Sequence, residues 1–158
     1  MRNDLIEHED TVRPEWVDYN GHMNLAYYVL IFDHATDALF DALDIGRSYC
    51  LERGKSNFVL ETHTIYEREV GAGDPLRVRC RLLAADAKRL HFFHEMFHAS
   101  EGFRSATQEL VSLHVDLADR RAAPFPPDRA EAIAALLATQ ATLPVPDSVG
   151  RRVALSRR

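Results

Sequence analysis

The sequence LAYYVLIFDHATDALFDAL, residues 25–43, carries apolar side chains at steps of three and four positions. That period places them on one face of an α-helix. The other face carries Asp33, Asp37 and Asp41, and Gly46 is the expected stop because glycine takes a left-handed cap without steric cost. We therefore predict one long helix with a buried face formed by Leu25, Tyr28, Val29, Phe32, Ala35, Thr36, Leu39, Phe40 and Leu43.

The stretches on either side of this helix change to a period of two, which is typical of β-strands. Short turns join most of them and favour antiparallel neighbours. The sequence therefore predicts a two-layer α+β domain, with the central helix packed on one face of an antiparallel sheet of about five strands. The predicted strands are 8–13, 56–66, 76–83, 90–99 and 105–117. A short helix, capped by Asp128 and ending at Leu137, is expected after the sheet.

Size and composition restrict the class of protein. A length of 158 residues fits one domain, and 46% apolar with 27% charged residues is ordinary for a chain that buries a core. The net charge of −5, without a basic block, argues against a nucleic-acid partner. No apolar run is long enough to cross a bilayer, and residues 1–7 do not resemble a signal peptide. We expect a cytoplasmic protein with no membrane partner, in which Cys50 and Cys80 are reduced thiols.

Polar side chains are dense in PEWVDYNGHMN, residues 14–24, just ahead of the apolar helix. The start of a helix presents unpaired N–H groups and a partial positive charge, which can hold a developing oxyanion. A carboxylate such as Asp18 can fold back beside that terminus, and acyl transfer needs both parts. The simpler alternative is that Asp18 or Asn20 only caps the helix, with His22 an exposed neighbour. Spacing alone favours capping, because caps are far commoner than active sites.

Three segments in a fixed order carry a family pattern. They are DYNGHMN at 18–24 with Tyr28 after it, YEREVGAGDPL at 66–76, and residues 107–116. Together they resemble the hotdog-fold thioesterases of the 4-hydroxybenzoyl-CoA thioesterase type. The resemblance implies a hotdog thioesterase domain over residues 1–140, followed by a loose C-terminal tail at 141–158. It also implies an acyl-CoA substrate, no cofactor or metal, and a homodimer or homotetramer with active sites between subunits.

The resemblance assigns the chemistry to the start of the predicted helix. It makes Asp18 the catalytic carboxylate and a backbone N–H near Asn24 or Leu25 the oxyanion donor, while His22 and Asn24 position water or substrate. An aspartate has an ordinary pKa of about 3.9, so it is ionised at neutral pH and ready to attack a thioester or deprotonate water. The sequence leaves both roles open. A hotdog module that only binds acyl-CoA is the non-catalytic alternative, and such a module would not need Asp18.

Basic residues near predicted turns are the candidates for holding the phosphates of CoA. Lys88 and Arg89 match a basic turn that binds CoA phosphates in members of this family, and Arg104 lies at the next turn. The alternative is that all three are ordinary solvated side chains, since charged residues are mostly exposed.

The acyl group is addressed by a closer similarity. RPEWVDYNGHMNLAYY at 13–28, FVLETHTIYEREV at 58–70 and KRLHFFHEMFHA at 88–99 are similar to a branch of the family that acts in carnitine breakdown, on betainyl-CoA. A trimethylammonium group favours aromatic faces, because cation–π contacts need no hydrogen bonds. A cage is predicted from Trp16, Tyr19, Tyr27, Tyr28 and Phe58, with Glu61 as counter-charge. The alternative is that these aromatic residues belong to the core.

Residues 94–98, HEMFH, match the H-E-x-x-H motif of zinc proteases. That motif binds zinc on a helix, but residues 90–99 alternate like a strand, which separates His94 and His98 by about 13 Å. Glu109 or His114 could nominally add a third ligand. We interpret the match as coincidental and keep a zinc hydrolase as the less favoured alternative.

Overall fold

A computed structural model describes residues 5–155 of the chain, and residues 1–4 and 156–158 lie outside the described part. This part of the chain contains six strands and three helices, with a 3₁₀ turn at Pro14–Trp16. The strands are β1 Ile6–Thr11, β2 Lys55–Tyr66, β3 Pro75–Ala85, β4 Arg89–His98, β5 Arg104–Asp116 and β6 Arg121–Ala122. The helices are α1 Leu25–Ala42, α2 Arg47–Arg53 and α3 Pro127–Gln140.

The strands form one antiparallel sheet in the order β1-β3-β4-β5-β2, with the short β6 paired to β5. The two-layer α+β prediction is therefore confirmed, and β6 is the strand that the alternation did not indicate. β2 lies at one edge of the sheet and, among residues 5–155, pairs only with β5, over a register that begins at Lys55↔Asp116. A bulge between Val59 and Glu61 interrupts this pairing.

The core lies between α1 and the inward face of the sheet. Alternate side chains of β3 and β4 point toward the helix because successive strand residues face opposite sides. The Cys80 thiol, for example, donates to the carbonyl of Ala35 at 3.4 Å. Burial also raises the pKa of Cys80 to about 12, which keeps this thiol protonated. The side chains that fill this core include Ile31, Phe32, Leu39, Leu76, Val78, Leu82, Phe92 and Met96.

The buried face of α1 differs at its first turns from the prediction. Leu25 and Val29 are 62% and 42% exposed, whereas Ile31 is fully buried. Leu25 and Val29 are four positions apart, so they lie on the same side of the helix. The helix therefore turns an apolar strip outward near its N-terminus, which an amphipathic pattern alone does not distinguish from a core face.

Three local predictions are wrong. β1 begins and ends two residues earlier than expected. Gly46 is not the left-handed stop of α1, because Asp44 has the positive φ of 52° and Gly46 precedes α2 with a φ of −84°. A Cβ at Gly46 would collide with the carboxylate of Asp41, so a larger residue there would require that side chain to move. Asp128 lies inside the first turn of α3 and pairs with Arg53, while Pro126 occupies the cap position.

The first part of the predicted tail is packed rather than loose. The guanidinium of Arg81 donates to the carbonyls of Gln140, Leu143 and Pro144, and it is buried in doing so. Farther along, the N–H of Gly150 donates to Glu109 at 2.7 Å. The segment after α3 is thus attached to the outward face of the sheet. The boundary at residue 140 stays a prediction. No helix in the described part of the chain is long and apolar enough to span a membrane.

Candidate functional site

The polar loop before α1 folds into a tight turn. Val17 and Met23 pair as an isolated antiparallel bridge, and the chain reverses between them. The Asp18 N–H donates to the His22 carbonyl at 3.2 Å, and the Gly21 N–H donates to the Asp18 carbonyl at 3.0 Å. Gly21 has a φ of 82°, which glycine adopts without strain. The turn thus holds the Asp18 side chain near the start of α1.

Two backbone hydrogen bonds fix this turn to the rest of the molecule. The Met23 N–H donates to the carbonyl of Val70 at 2.8 Å, and the Asn24 N–H donates to the carbonyl of Trp16 at 2.9 Å. Met23 and Trp16 are both buried, so the turn is anchored in the core at each end. A carboxylate placed on such a turn keeps its position relative to the helix.

Both oxygens of the Asp18 carboxylate accept hydrogen bonds. Oδ2 accepts from Nδ2 of Asn24 at 2.8 Å, and Oδ1 accepts from the Asn20 N–H at 2.8 Å. These bonds, the one from Asn24 first, lower the pKa of Asp18 below its ordinary value. The charged form is therefore the resting form at neutral pH.

Asn24 also caps the helix, which the sequence had assigned to Asp18 or Asn20 as an alternative. Its Oδ1 accepts from the Ala26 N–H at 3.0 Å, the usual bond of an N-cap residue. Its own N–H is used by Trp16, so Asn24 is not a free backbone donor. The Leu25 N–H, by contrast, has no acceptor within residues 5–155. Of the two predicted oxyanion donors, only Leu25 is available.

A small cavity of about 190 Å³ opens beside the start of α1. His22 lies at its edge, where Nδ1 is 3.1 Å from the Met23 carbonyl and Nε2 is 3.7 Å from Oε2 of Glu69. Tyr28 and Tyr66 meet edge to face, with 5.1 Å between ring centroids. The lining residues are His22, Met23, Leu25, Tyr28, Tyr66, Glu67, Arg68 and Glu69.

Sequence reasoning missed Tyr66 and Glu69 as members of this cavity. The available signal was their position at the end of a long strand, since Tyr66 is the last residue of β2 and Glu69 follows three residues later. The Tyr66 hydroxyl donates to the Leu25 carbonyl at 3.3 Å, which joins the end of that strand to the start of α1. Only the three-dimensional arrangement makes these two segments neighbours.

The predicted aromatic cage is not assembled within one chain. Trp16 stacks on Tyr27 with 5.3 Å between centroids, whereas Tyr19 is 97% exposed. Phe58 lies eight residues before Tyr66 on the same strand, which is about 26 Å at the usual rise. Of the five predicted cage residues, only Tyr28 lines the cavity beside α1.

Glu61 lies elsewhere as well. It lines a second cavity of about 440 Å³, together with His63, His91 and Glu109. There, Nε2 of His91 is 2.7 Å from Oε1 of Glu109. Glu61 therefore does not stand opposite Tyr28 within one chain.

The three predicted phosphate ligands differ in availability. Lys88 is exposed and has no ion pair within the described residues, whereas Arg89 pairs with Asp86 at 2.7 Å. The backbone N–H of Lys88, followed by the side chain and N–H of Arg89, lowers the pKa of Asp86 to about 2.

Arg104 is committed to a network of carboxylates. Its guanidinium donates to Glu67 at 2.8 Å, to Glu95 at 2.9 Å and to Asp147 at 3.0 Å. With three carboxylates around it, this side chain has no spare charge for a phosphate. We therefore remove Arg104 from the candidate phosphate ligands.

The H-E-x-x-H residues lie on strand β4, as the alternation predicted. His94 is fully buried, and its Nε2 is 2.9 Å from the Thr36 hydroxyl. Burial lowers the pKa of His94 to about 3, which keeps the imidazole neutral. His98 instead faces Asp74, at 3.5 Å. The two imidazoles thus have separate partners.

The proposed third ligands of that motif are occupied too. Nε2 of His114 is 2.9 Å from the Tyr49 hydroxyl, and Glu109 accepts from His91 and Gly150. The arrangement gives no support to a zinc hydrolase.

Comparison with known proteins places this geometry in a family. Residues 12–133 match the model of the Thioesterase-like superfamily. The chain is similar to the betainyl-CoA thioesterase of Pseudomonas aeruginosa, with 40% identity over 155 residues that cover 98% of each chain.

Solved structures give the same result. SAV2348, a hypothetical protein from Staphylococcus aureus in complex with CoA, has a TM-score of 0.89 at 28% identity over 96% of both chains. A structure from Pseudomonas putida KT2440 has a TM-score of 0.83 at 35% identity over 97% of both chains. The hotdog fold predicted from the sequence is confirmed. Since the family model spans most of the chain and the sequence similarity runs nearly its full length, this chain belongs to the thioesterase-like superfamily.

Proposed function

We propose that this protein hydrolyses a short acyl-CoA, with betainyl-CoA as its main substrate, to the free acid and CoA. The observation that carries the proposal is an ionised Asp18 carboxylate that Asn24 holds at the start of α1, where the Leu25 N–H has no acceptor among residues 5–155. His22 and Leu25 line the adjacent cavity, whereas Asp18 lies outside its lining. A base or nucleophile and an oxyanion donor are the two parts that acyl transfer requires.

In the first route, Asp18 removes a proton from water while the oxygen of that water attacks the thioester carbonyl. The carbonyl oxygen becomes an oxyanion that accepts a hydrogen bond from Leu25 N–H. The tetrahedral intermediate then expels CoA as a thiolate, which takes up a proton. Asn24 holds the carboxylate in position through its bond to Oδ2.

In the second route, an oxygen of Asp18 attacks the carbonyl itself, CoA leaves, and water hydrolyses the resulting anhydride. A single turnover in ¹⁸O-labelled water identifies the second route when water attacks the Asp18 carbonyl of the anhydride, because the label then enters the Asp18 carboxylate and the product acid stays unlabelled. Label in the acid alone arises either from direct attack by water or from attack on the acyl carbonyl of the anhydride.

The choice of acyl group rests on the cavity and on the Pseudomonas aeruginosa relative. The cavity beside α1 has a volume of about 190 Å³, which is below the ~300–1,000 Å³ of pockets for larger ligands. A cavity of that size suits a short acyl chain. Tyr28 and Tyr66 offer aromatic edges and faces to a quaternary ammonium group. Glu69 adds a negative charge at the same cavity. The name of the relative, betainyl-CoA thioesterase, agrees with these features.

We also propose that the active form is a homodimer built on the free edge of β2, with a homotetramer as a pair of such dimers. The edge is 12 residues long and carries Phe58, Val59 and Leu60, each at least one-third exposed. A long apolar edge of this kind readily pairs with a second strand. Antiparallel pairing brings the end that carries Phe58 beside the Tyr66 end of the second copy. Phe58 can then join a cage that one chain leaves incomplete.

The remaining proposals concern partners and location. Lys88 is the candidate ligand for a CoA phosphate, because it is exposed and has no ion pair within the described residues. The reaction requires no cofactor and no metal. Both cysteines are free, which agrees with a reducing, cytoplasmic location.

The test is thiol release from a panel of acyl-CoA esters, with tert-butylacetyl-CoA as the uncharged shape match to betainyl-CoA. We expect kcat/KM for the betainyl ester to exceed that for the tert-butyl ester by at least about tenfold, on the scale of a cation–π contact. The variant Glu69→Gln removes a negative charge from the cavity, so it should lower the ratio of kcat/KM for the betainyl ester to kcat/KM for the tert-butyl ester. The rate on the uncharged ester should stay unchanged. Tight binding of acyl-CoA without any thiol release would instead support the non-catalytic module.

A further inference from the structure

Three potential metal ligands converge where β1 crosses α1. His8 and Asp10 are two positions apart on β1, so their side chains share the face directed at the helix. His34 projects toward them from α1. Oδ2 of Asp10 lies 3.7 Å from Nε2 of His8 and 3.7 Å from Nδ1 of His34. All three ligand atoms fall within 4.8 Å of one another.

The hydrogen bonds around this cluster orient the Asp10 carboxylate but leave one imidazole nitrogen of His8 without a hydrogen-bond partner among the described residues. Oδ1 of Asp10 accepts from the Thr11 N–H at 2.7 Å, which fixes the carboxylate and directs Oδ2 at the two imidazoles. Nε2 of His8 is buried and has no hydrogen-bond partner among residues 5–155. This ring nitrogen faces a carboxylate and a second imidazole and makes no hydrogen bond to another protein group among the described residues, so it is available to bind a metal ion.

The spacing is close to that of a zinc site. Zn²⁺ binds imidazole nitrogen and carboxylate oxygen at about 2.0–2.2 Å with tetrahedral geometry, so neighbouring ligand atoms lie about 3.4 Å apart. The separations of 3.7 Å need to close only slightly. His34 is about 40% exposed, which leaves a fourth position open to water. Asp37, one turn along α1, interacts electrostatically with both imidazoles and adds negative charge.

We propose that His8, Asp10 and His34 bind one divalent transition-metal ion, Zn²⁺ by preference, which joins the edge strand β1 to α1. The site is distinct from the candidate active site, because His34 lies nine residues beyond Leu25, or about 14 Å along the helix. It is also distinct from the H-E-x-x-H residues of β4, which take no part in it. The ion is structural, and the proposal does not depend on the proposed hydrolysis.

The test is a titration of the full-length, untagged, metal-stripped protein with ZnCl₂, followed by calorimetry. We expect saturable binding of one ion per chain, and a rise in the thermal midpoint of about 5–10 °C at a hundredfold excess over Kd. Co²⁺ in place of Zn²⁺ should give the strong visible absorption of a four-coordinate site.

Two variants locate the ion. His34→Gln changes a partly exposed helix position and Asp10→Asn keeps the shape of the carboxylate, and each should remove binding while the protein stays folded. His63→Gln, a histidine on β2 outside the cluster, should bind like the wild type. Non-saturable or sub-stoichiometric binding, or full binding by His34→Gln and Asp10→Asn, would overturn the proposal.

Discussion

The Asn24 side chain both caps α1 and donates a hydrogen bond to Asp18, and substitutions can separate these two roles. Its Oδ1 caps α1 through the Ala26 N–H, and its Nδ2 donates to Asp18. Asn24→Ala removes both interactions. Asn24→Ser keeps a hydroxyl oxygen that can cap the helix, because serine is as good an N-cap as asparagine, but it is too short to replace the donor to Asp18.

The two variants should therefore differ in stability and agree in activity. Loss of the cap costs about 1 kcal/mol, so Asn24→Ala should lower the free energy of unfolding by that amount and the thermal midpoint by about 2–4 °C. Asn24→Ser should stay within about 0.5 kcal/mol of the wild type. In both, the largest cause of the lowered Asp18 pKa is gone, so that pKa should rise toward its ordinary value.

Three measurements on the same samples test this. Urea unfolding gives the free energy of unfolding, thiol release gives kcat, and carbon NMR of the Asp18 carboxyl gives its pKa. We expect both variants to lose about tenfold or more in kcat, because Asp18 is no longer held in position. Full activity in Asn24→Ser, together with an unchanged Asp18 pKa, would show that Asn24 is only a cap.

Two further predictions concern buried polar groups. Burial holds the pKa of His94 at about 3 in the folded state, against 6.5 when unfolded, so the unfolded chain binds the extra proton between these values. The free energy of unfolding should therefore decrease as the pH is lowered below about 6.5, and the loss should reach about 3 kcal/mol at pH ~4.5. Urea titrations should show this loss reduced in His94→Gln, and equal pH slopes for the two proteins would contradict the assignment. Arg81→Met should leave the carbonyls of Leu143 and Pro144 without their donor and lower the free energy of unfolding by about 3 kcal/mol. It should also speed cleavage within 141–155 in limited proteolysis, whereas Arg79→Met, on the same strand, should not; equal cleavage of both variants would mean that Arg81 does not hold the segment.

The fold was largely predictable because its elements have strong periods. Apolar residues recur every three or four positions in residues 25–43 and every second position in residues 56–66. Short turns then favour antiparallel neighbours. The failures are local. The stop at Asp44 and the packing around Gly46 depend on contacts with Asp41, which no periodicity records.

The candidate site was predictable only where it is continuous in sequence. Asp18, His22, Asn24 and Leu25 come from one turn, so the pattern placed them together. Tyr66 and Glu69 reach the cavity lined by His22 and Leu25 from the end of a strand, and that proximity is a property of the folded chain.

For a related reason, the sequence did not indicate that the predicted cage residues are separated within one chain. Aromatic side chains at regular spacing suit both a core and a cage: Trp16 is buried and stacks on Tyr27, whereas Phe58 lines a separate cavity beside α2. Sequence spacing carries no information on the distance between such residues.

The most direct test of the central claim is the kcat of Asp18→Asn on betainyl-CoA. The substitution keeps an oxygen for the Asn20 N–H and changes no volume, so circular dichroism and the elution volume should match the wild type. Removal of a positioned base or nucleophile should lower kcat by at least about 10²-fold. A correctly folded Asp18→Asn protein that turns over at the wild-type rate would contradict the account.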